Sequence, residues 1–369
     1  RYFFNNETQL KTTLAVTYFK HEGTMTSYDW NLNSAPFLDL NRSNTNLIFT
    51  TAITRKFSAK FTNKTGITYT KMYYDMDMNL APHQMHPMEL ISQGKGNTNL
   101  ISGYTNSSIG ISEQVTLNVG VNARVLTLNN SWTLEPRAGI KWQFSPKSSF
   151  ALAYGLHSRM EKMDVYFVKT QGTGDRSVNK DLGFTRAHHV MLSYGFKISD
   201  NMNMKIEPYF QQLYDVPVIA DSSYSVLNRR DFYVENALVN RGKGRNIGVD
   251  ITLERYLNKG LYYMVTASIF DSKYYGGDRK WRNTLYNRNF IVNVLGGKEW
   301  MVGRDRQNMF SVNFKITLQG GDRYAPVDEV ATLLDPDREV QYDETKAFSK
   351  QFSPMFITNF SVGYKIHRK

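Results

Sequence analysis

Apolar and polar residues take turns along much of this chain. Between positions 247 and 254, Ile247, Val249, Ile251 and Leu253 fall on one side, and Gly248, Asp250, Thr252 and Glu254 on the other. A period of two is the mark of a β-strand with one apolar and one polar face. Leu257-Asn258-Lys259-Gly260 interrupts the pattern as a tight turn. It then resumes, with Leu261, Tyr263, Val265, Ala267 and Ile269 against Tyr262, Met264, Thr266 and Ser268. The segment reads as an antiparallel hairpin. Its arms exceed the roughly 5–6 residues of an ordinary strand and reach the roughly 9–11 that cross a bilayer.

The same reading predicts further strands over 8–20, 46–56, 60–73, 98–112, 115–129, 132–144, 149–158, 188–199, 202–218, 286–301, 308–319 and 356–367, about fourteen in all. Short turns at 57–59, 113–114, 145–147, 200–201, 257–260 and 302–307 alternate with long loops at 74–96, 160–186, 219–242, 275–285 and 320–354. The link at 129–131 is a short exception, and 25–43 reads as a polar loop. Short turns on one rim and long loops on the other describe an all-β transmembrane antiparallel β-barrel, with the long loops outside. In lipid every backbone group must be paired, so such strands must close on themselves.

Composition changes the picture little. No apolar run approaches the roughly 18 residues of a membrane helix, and no signal peptide precedes Arg1, so the N-terminus reads as the edge of a longer protein. Aromatic residues are 14% of the chain, with 23 Tyr and 22 Phe, enough for aromatic girdles at two interfaces. A mean hydropathy of -0.46 is expected where only half of each strand meets lipid. The net charge of +12 is spread over turns and loops, without a basic helix or an aromatic RNA-binding signature. It points to acidic lipid headgroups or an anionic ligand rather than nucleic acid.

Candidate chemistry is sparse. With no cysteine there are no disulfides, thiol nucleophiles or thiolate metal sites. Asp75-Met76-Asp77-Met78-Asn79 begins like a calcium loop but has Leu80 at the turn glycine and His86 at the bidentate acid. Met76, Met78, His83, Met85, His86 and Met88 are soft ligands of the kind copper prefers, although a chance cluster explains them more simply. His188 and His189 face opposite ways on one strand and cannot share a metal. Gly242-Lys243-Gly244 precedes a strand, so it is no phosphate loop, and Asn63-Lys64-Thr65 would matter only in a eukaryotic secretory protein. No hydrolase or metalloprotease motif appears, so no enzyme, metal or cofactor is expected. The polar faces place Glu135, Arg137, Lys141, His157, Lys197, Lys205, Glu207, Asp250, Glu254 and Lys315 in the lumen, where charges of both signs imply water or a polar plug. For ligand capture the expectation falls on the 74–96 and 320–354 loops. Tyr73, Tyr74 and Tyr324 there are suited to stacking on a sugar or aromatic chelator, and His83 and His86 lie in the first loop.

Several stretches carry a resemblance. They are Leu134-Glu135-Pro136-Arg137-Ala138-Gly139, Ala153-Tyr154-Gly155-Leu156-His157-Ser158, Asn179-Lys180-Asp181-Leu182 and the run from Ile206 to Val218. Asn240-Arg241-Gly242-Lys243-Gly244-Arg245-Asn246, Leu295-Gly296-Gly297-Lys298-Glu299 and Gly320-Gly321-Asp322-Arg323-Tyr324 follow. From about residue 70 onward the chain resembles, in order, the barrel domain of TonB-dependent outer-membrane transporters of Bacteroidetes-type bacteria. That resemblance implies a barrel of about 22 strands closed by an N-terminal plug that carries the TonB-contacting box. It implies proton-gradient-driven import of a scarce nutrient such as an iron chelate, a peptide or a glycan. The chain departs from the family in having no plug, no TonB box and fewer strands. Residues 1–369 are therefore expected to be an incomplete barrel domain. Its expected partners are outer-membrane lipids and lipopolysaccharide, TonB through a plug outside this chain, and a surface lipoprotein. A non-transporting barrel subunit of a surface or secretion complex, or a passive diffusion channel, would use the same strands.

Overall fold

A computed structural model describes residues 1–170, 177–230, 233–336 and 339–367. The strands are β1 (Tyr2–Phe3), β2 (Thr8–Tyr28), β3 (Ser34–Ser58), β4 (Phe61–Leu80), β5 (Glu89–Gly110), β6 (Val115–Leu126), β7 (Ser131–Ser145) and β8 (Ser148–Arg159). Helix α1 (Met163–Tyr166) precedes β9 (Thr185–Ser199), β10 (Met202–Val218), β11 (Val239–Asn258), β12 (Leu261–Tyr275) and β13 (Trp281–Asn283). Then come β14 (Phe290–Val302), β15 (Asn308–Gln319), β16 (Arg323–Tyr324), α2 (Glu329–Leu334), β17 (Lys350–Gln351) and β18 (Met355–Lys365).

Sixteen of these strands form one sheet, each long strand hydrogen-bonded antiparallel to its neighbours in chain order, with β13 paired to the side of β12. Up-and-down order is what short turns enforce. The β11–β12 hairpin turns on Lys259 (φ 50°) and Gly260 (φ +74°), the left-handed pair that matches the twist of a two-residue hairpin. A side chain at Gly260 would also meet the Glu299 carbonyl oxygen at 2.2 Å. Among the described residues the path runs from β1 to β18 without a pairing between those two ends.

Alternation then decides the faces. On β7, Leu134, Ile140 and Trp142 are exposed, while Glu135 on the other face is fully buried. On β11 and β12, Ile247 and Ile269 are more than half exposed, while Asp250 on the inner face accepts a 2.5 Å hydrogen bond from Ser268. A strand pattern that turns its branched aliphatics outward and its charges inward is the inverse of a soluble core and matches a lipid-facing band. Aromatic rings collect at the short-turn end: Phe57 stacks on Phe61 at 4.9 Å, Trp142 lies 5.2 Å from Phe144, and Trp300 lies 5.7 Å from Phe310. Amphipathic rings favour that position at a membrane interface.

The sequence reading needs correction at the other end. The stretches 25–43 and 74–96, expected as loops, are mostly strand: only 29–33 and 81–88 connect them. β2 to β5 are 21, 25, 20 and 22 residues long, roughly twice the length a bilayer requires. They rise past the apolar band as a wall. Its inner face is covered by protein: Met72, Tyr74, Met76, Met78 and Leu80 are buried, alternating with exposed or half-buried Tyr73, Asp75, Asp77 and Asn79. The period-two signal was present in these residues, but its buried members are methionines set between aspartates, so it resembled a polar loop.

Candidate functional site

The long-loop rim carries a folded cap with a core of its own. Val165, Tyr166 and Val168 of the α1 segment are fully buried with Leu126, Leu182, Phe184, Val234 and Leu238. Phe167 sits 4.5 Å from Tyr74 on the wall. The main chain is tied down as well: Lys169 N–H donates to Ile91 and Gln93 N–H to Phe167. At the centre, Asp164 Oδ2 accepts from Arg42 on β3 at 2.8 Å and from Arg229 in the 219–238 connection at 2.9 Å. These side chains are only 11–13% exposed. One carboxylate thus joins wall, α1 and a second loop, where each charge-assisted bond is stronger than in open water.

A cleft of about 470 Å³ opens between the 219–238 and 320–354 connections, lined by Tyr224, Asn228, Arg229, Arg323, Tyr324, Tyr342 and Phe348 among others. Its floor is organised by the β16–β17 pair, which sets Tyr324 opposite Lys350. Tyr324 stacks on Phe352 at 4.4 Å. Arg323 donates to the Asn287 carbonyl and to Asn289 Oδ1, both at 2.8 Å. Both partners are neutral, so the cation keeps its charge for the cleft. Asn228 Oδ1 accepts from Leu285 N–H at 2.8 Å, while its Nδ2 is buried without a hydrogen-bond partner. A buried donor left unmatched is costly and is ready to meet an acceptor. Phe348 holds φ at 56°, a strained conformation for a bulky residue. The arrangement can grip a ring between aromatic faces and bind an acceptor or anion on it.

Two capping carboxylates shape the surrounding loops. Asp343 accepts from Thr345 N–H at 2.9 Å and from its hydroxyl at 2.5 Å, and pairs with Lys346 at 2.9 Å. The Thr345 bond first, then Lys346, pulls its pKa down to about 2. Asp278 takes a bidentate grip from Arg282 at 2.9 and 2.5 Å, and that hydrogen bond holds its pKa below the ordinary value.

Below the cap, the inner face of the sheet is polar. Glu135 accepts from Asn122 at 3.0 Å, Arg137 at 2.8 Å and Ser158 at 2.5 Å, with Arg124 at 3.5 Å. Full burial of a carboxylate is tolerated because every lone-pair direction is matched. A neighbouring cavity of about 740 Å³ holds Lys64, Arg137, His157 and His189, whose imidazoles lie 4.7 Å apart. Lys141, Lys197, Lys205, Glu207 and Glu254 line a second inner cavity, and Asp250 a third. Lys315 joins the row of Glu254 through Met264 and Leu295. His188 points the other way, between Tyr154 and Tyr214.

The sequence-predicted ligand residues scatter. Tyr324 is in the cleft, and Tyr73 is exposed on β4. Tyr74, expected to be free for stacking, is committed to the cap core, because its strand continues where a loop was expected. His83 and His86 lie together on the 81–88 connection, rings 5.4 Å apart, with Glu339 at 3.4 Å from His83. Asp75 pairs with Lys95, and Asp77 accepts from Gln93 and Asn79, within ordinary strand pairs. Arg323, Asn228 and Phe352 escaped the sequence reading because only the folded loops bring them to Tyr324.

No family model matches the sequence, and no curated protein matches it at a significant level. Solved structures do. The ferric-catecholate import receptor Fiu of Escherichia coli K12 superimposes with a TM-score of 0.67 at 12% identity, covering 99% of this chain and 56% of its own. The pyoverdine outer membrane receptor FpvA of Pseudomonas aeruginosa gives 0.67 at 9% identity, with coverages of 98% and 53%. The ferric yersiniabactin uptake receptor FyuA of Yersinia pestis gives 0.65 at 9%, with coverages of 98% and 52%. The fold is shared from end to end, and the chain spans about half the length of each of these receptors.

Proposed function

We propose that the chain is the barrel portion of a TonB-dependent outer-membrane receptor that imports a scarce nutrient. It is not an enzyme in this reading. The long-loop cap faces the outside and captures the nutrient, and the inner polar face conducts it past a plug. Plug, TonB contact and remaining strands belong to parts of the protein beyond residues 1–369. One observation carries the proposal: a sheet with an outward apolar face superimposes, over nearly its whole length, on receptors named for uptake of iron complexes. The cleft around Tyr324 favours a substrate bearing a ring and an anion or acceptor, which fits an iron chelate better than a peptide; a glycan remains a weaker fit. The motif resemblance supports a Bacteroidetes-type source and a surface lipoprotein lid. The test is uptake by a strain lacking the receptor. Restoration by the full-length protein only when TonB is intact supports the proposal, and uptake indifferent to TonB contradicts it.

A further inference from the structure

Strand register lines six inner-face residues into one row from β4 to β9: Lys64, Asn106, Gly120, Arg137, Gly155 and His189. One step toward the short turns, the next row runs Ser108, Asn118, Gly139, Ala153 and Met191. Glycine or alanine therefore holds four of the six inner places on β6, β7 and β8. The wall is hollowed there, and the hollow is the inner cavity of about 740 Å³. A Cβ at Gly155 would lie 2.7 Å from His157 Nε2, and one at Gly120 would collide with Asn106 Oδ1. Both polar side chains lean into the room that the glycines leave. Lys64, Arg137, His157 and His189 line the hollow, and none of its described lining residues is acidic. Among the described residues no carboxylate pairs with Lys64, whose ammonium lies 5.8 Å from the Tyr104 ring. Behind the hollow, Glu135 is shared by Arg137 at 2.8 Å and Arg124 at 3.5 Å, so one carboxylate answers two guanidiniums. Arg137 Nε is buried without a hydrogen-bond partner. Excess cation in a concave protein wall focuses its field on the space in front of it.

We propose that this hollow is a lumenal subsite for a small organic carboxylate, its anion held between Lys64 and Arg137 and its apolar body lying over Gly139, Ala153 and Met191. Charge selects the anion, and the planar guanidinium matches a carboxylate better than an ammonium alone does. Size selects a solute: about 740 Å³ lies within the roughly 300–1,000 Å³ of small-molecule sites. The two imidazoles, 4.7 Å apart, close one side and offer ring nitrogens to a second polar group. The subsite rests on the importer reading for its use. It lies in the lumen below the cap, where an anionic ring compound released from the Tyr324 cleft would next meet the wall.

The test is protection of His157 and His189 against carbethoxylation by diethylpyrocarbonate, read by peptide mass spectrometry on the full-length protein in detergent micelles. Benzoate is the probe, benzamide its neutral counterpart, and outward-facing His188 the internal control. Benzoate is expected to protect both inner imidazoles saturably, at a concentration about tenfold or more below that of benzamide, and less well as salt rises. Lys64→Gln is expected to raise the half-protecting concentration about tenfold, the worth of one charge-assisted hydrogen bond. Lys64→Arg is expected to protect like wild type. Lys64 is exposed, so both variants keep the fold, checked by resistance to unfolding in cold SDS. Equal protection by benzamide, no shift in Lys64→Gln, or equal protection of His188 overturns the proposal. Inner imidazoles that are unreactive before any benzoate is added also overturn it, because another part of the protein then fills the hollow. Nutrient uptake with and without TonB is measured alongside. Uptake that ignores TonB with protection intact removes the importer reading and leaves the subsite, whereas TonB-dependent uptake without protection removes the subsite alone.

Discussion

Replacing Asp164 with Asn removes an anion that ties the cap to the wall. Its Oδ2 receives bonds from Arg42 at 2.8 Å and Arg229 at 2.9 Å. Hydrogen bonds to a charged group contribute about 1.5–3 kcal/mol each. Asn keeps one acceptor oxygen but no charge, so both guanidiniums lose the anion they share where little solvent can replace it. Loss of about one such bond plus part of the pairing comes to roughly 3 kcal/mol, close to a hundredfold in a local opening equilibrium. That cost falls on the cap, because the strands are held by their own ladders and meet the Asp164 carboxylate through Arg42. Hydrogen exchange read by mass spectrometry separates the two. Amides of 163–168 and 91–93 are expected to exchange about a hundredfold faster in the variant, while the β9–β12 amides are unchanged. Protection within threefold of wild type in 163–168 would refute the reasoning, as would uniform loss across the sheet.

Other consequences follow from the same geometry. Phe352→Ala removes the ring stacked on Tyr324 at 4.4 Å; aromatic pairs contribute about 0.5–1.5 kcal/mol, so half-saturating substrate for uptake is expected to rise roughly three- to tenfold with protein level unchanged. Arg323→Gln is expected to weaken uptake of an anionic substrate further at low salt than at high salt, and equal effects at both would contradict a charge role. Acid loosens the cleft rim in a defined window. The Asp343 pKa is depressed to about 2 from an ordinary 3.8, so its contribution is complete above about pH 4 and fades as pH falls toward 2. Exchange in 343–349, corrected for intrinsic rates, should therefore accelerate below pH 4 and stay flat between pH 5 and 8. On β11, Ile251→Arg is expected to cost about 2–4 kcal/mol of folding stability in bilayers, as for a charge at the lipid midplane, while Thr252→Arg next to it costs far less.

Strand identity was legible wherever lipid sets the pattern. Ile247 through Ile269 alternate cleanly because every outward residue answers to hydrocarbon and every inward one to water and ion pairs. Turn positions were legible for the same local reason, as Lys259-Gly260 illustrates. The wall above the membrane was not legible. There the buried face of β4 answers to protein, so methionines separated by Asp75 and Asp77 satisfy it, and the apolar contrast fades. Candidate chemistry was legible only one residue at a time. Tyr324 could be picked out, but its partners Phe352, Arg323 and Asn228 lie far apart in sequence and meet through loop folding. Tyr74 shows the converse: its composition suited a ligand platform, while Phe167 on a distant loop claims its face.

The central claim is that odd positions of β11 face lipid and even positions face the interior. The sequence contains no cysteine, so single-cysteine variants at 247 to 254 can each carry one nitroxide in otherwise native protein reconstituted into bilayers. Collision with oxygen, which concentrates in hydrocarbon, is predicted to be high at 247, 249, 251 and 253 and low at 248, 250, 252 and 254, a period of two across the whole span. A flat profile, a period near 3.6, or oxygen maxima at the even positions would contradict it.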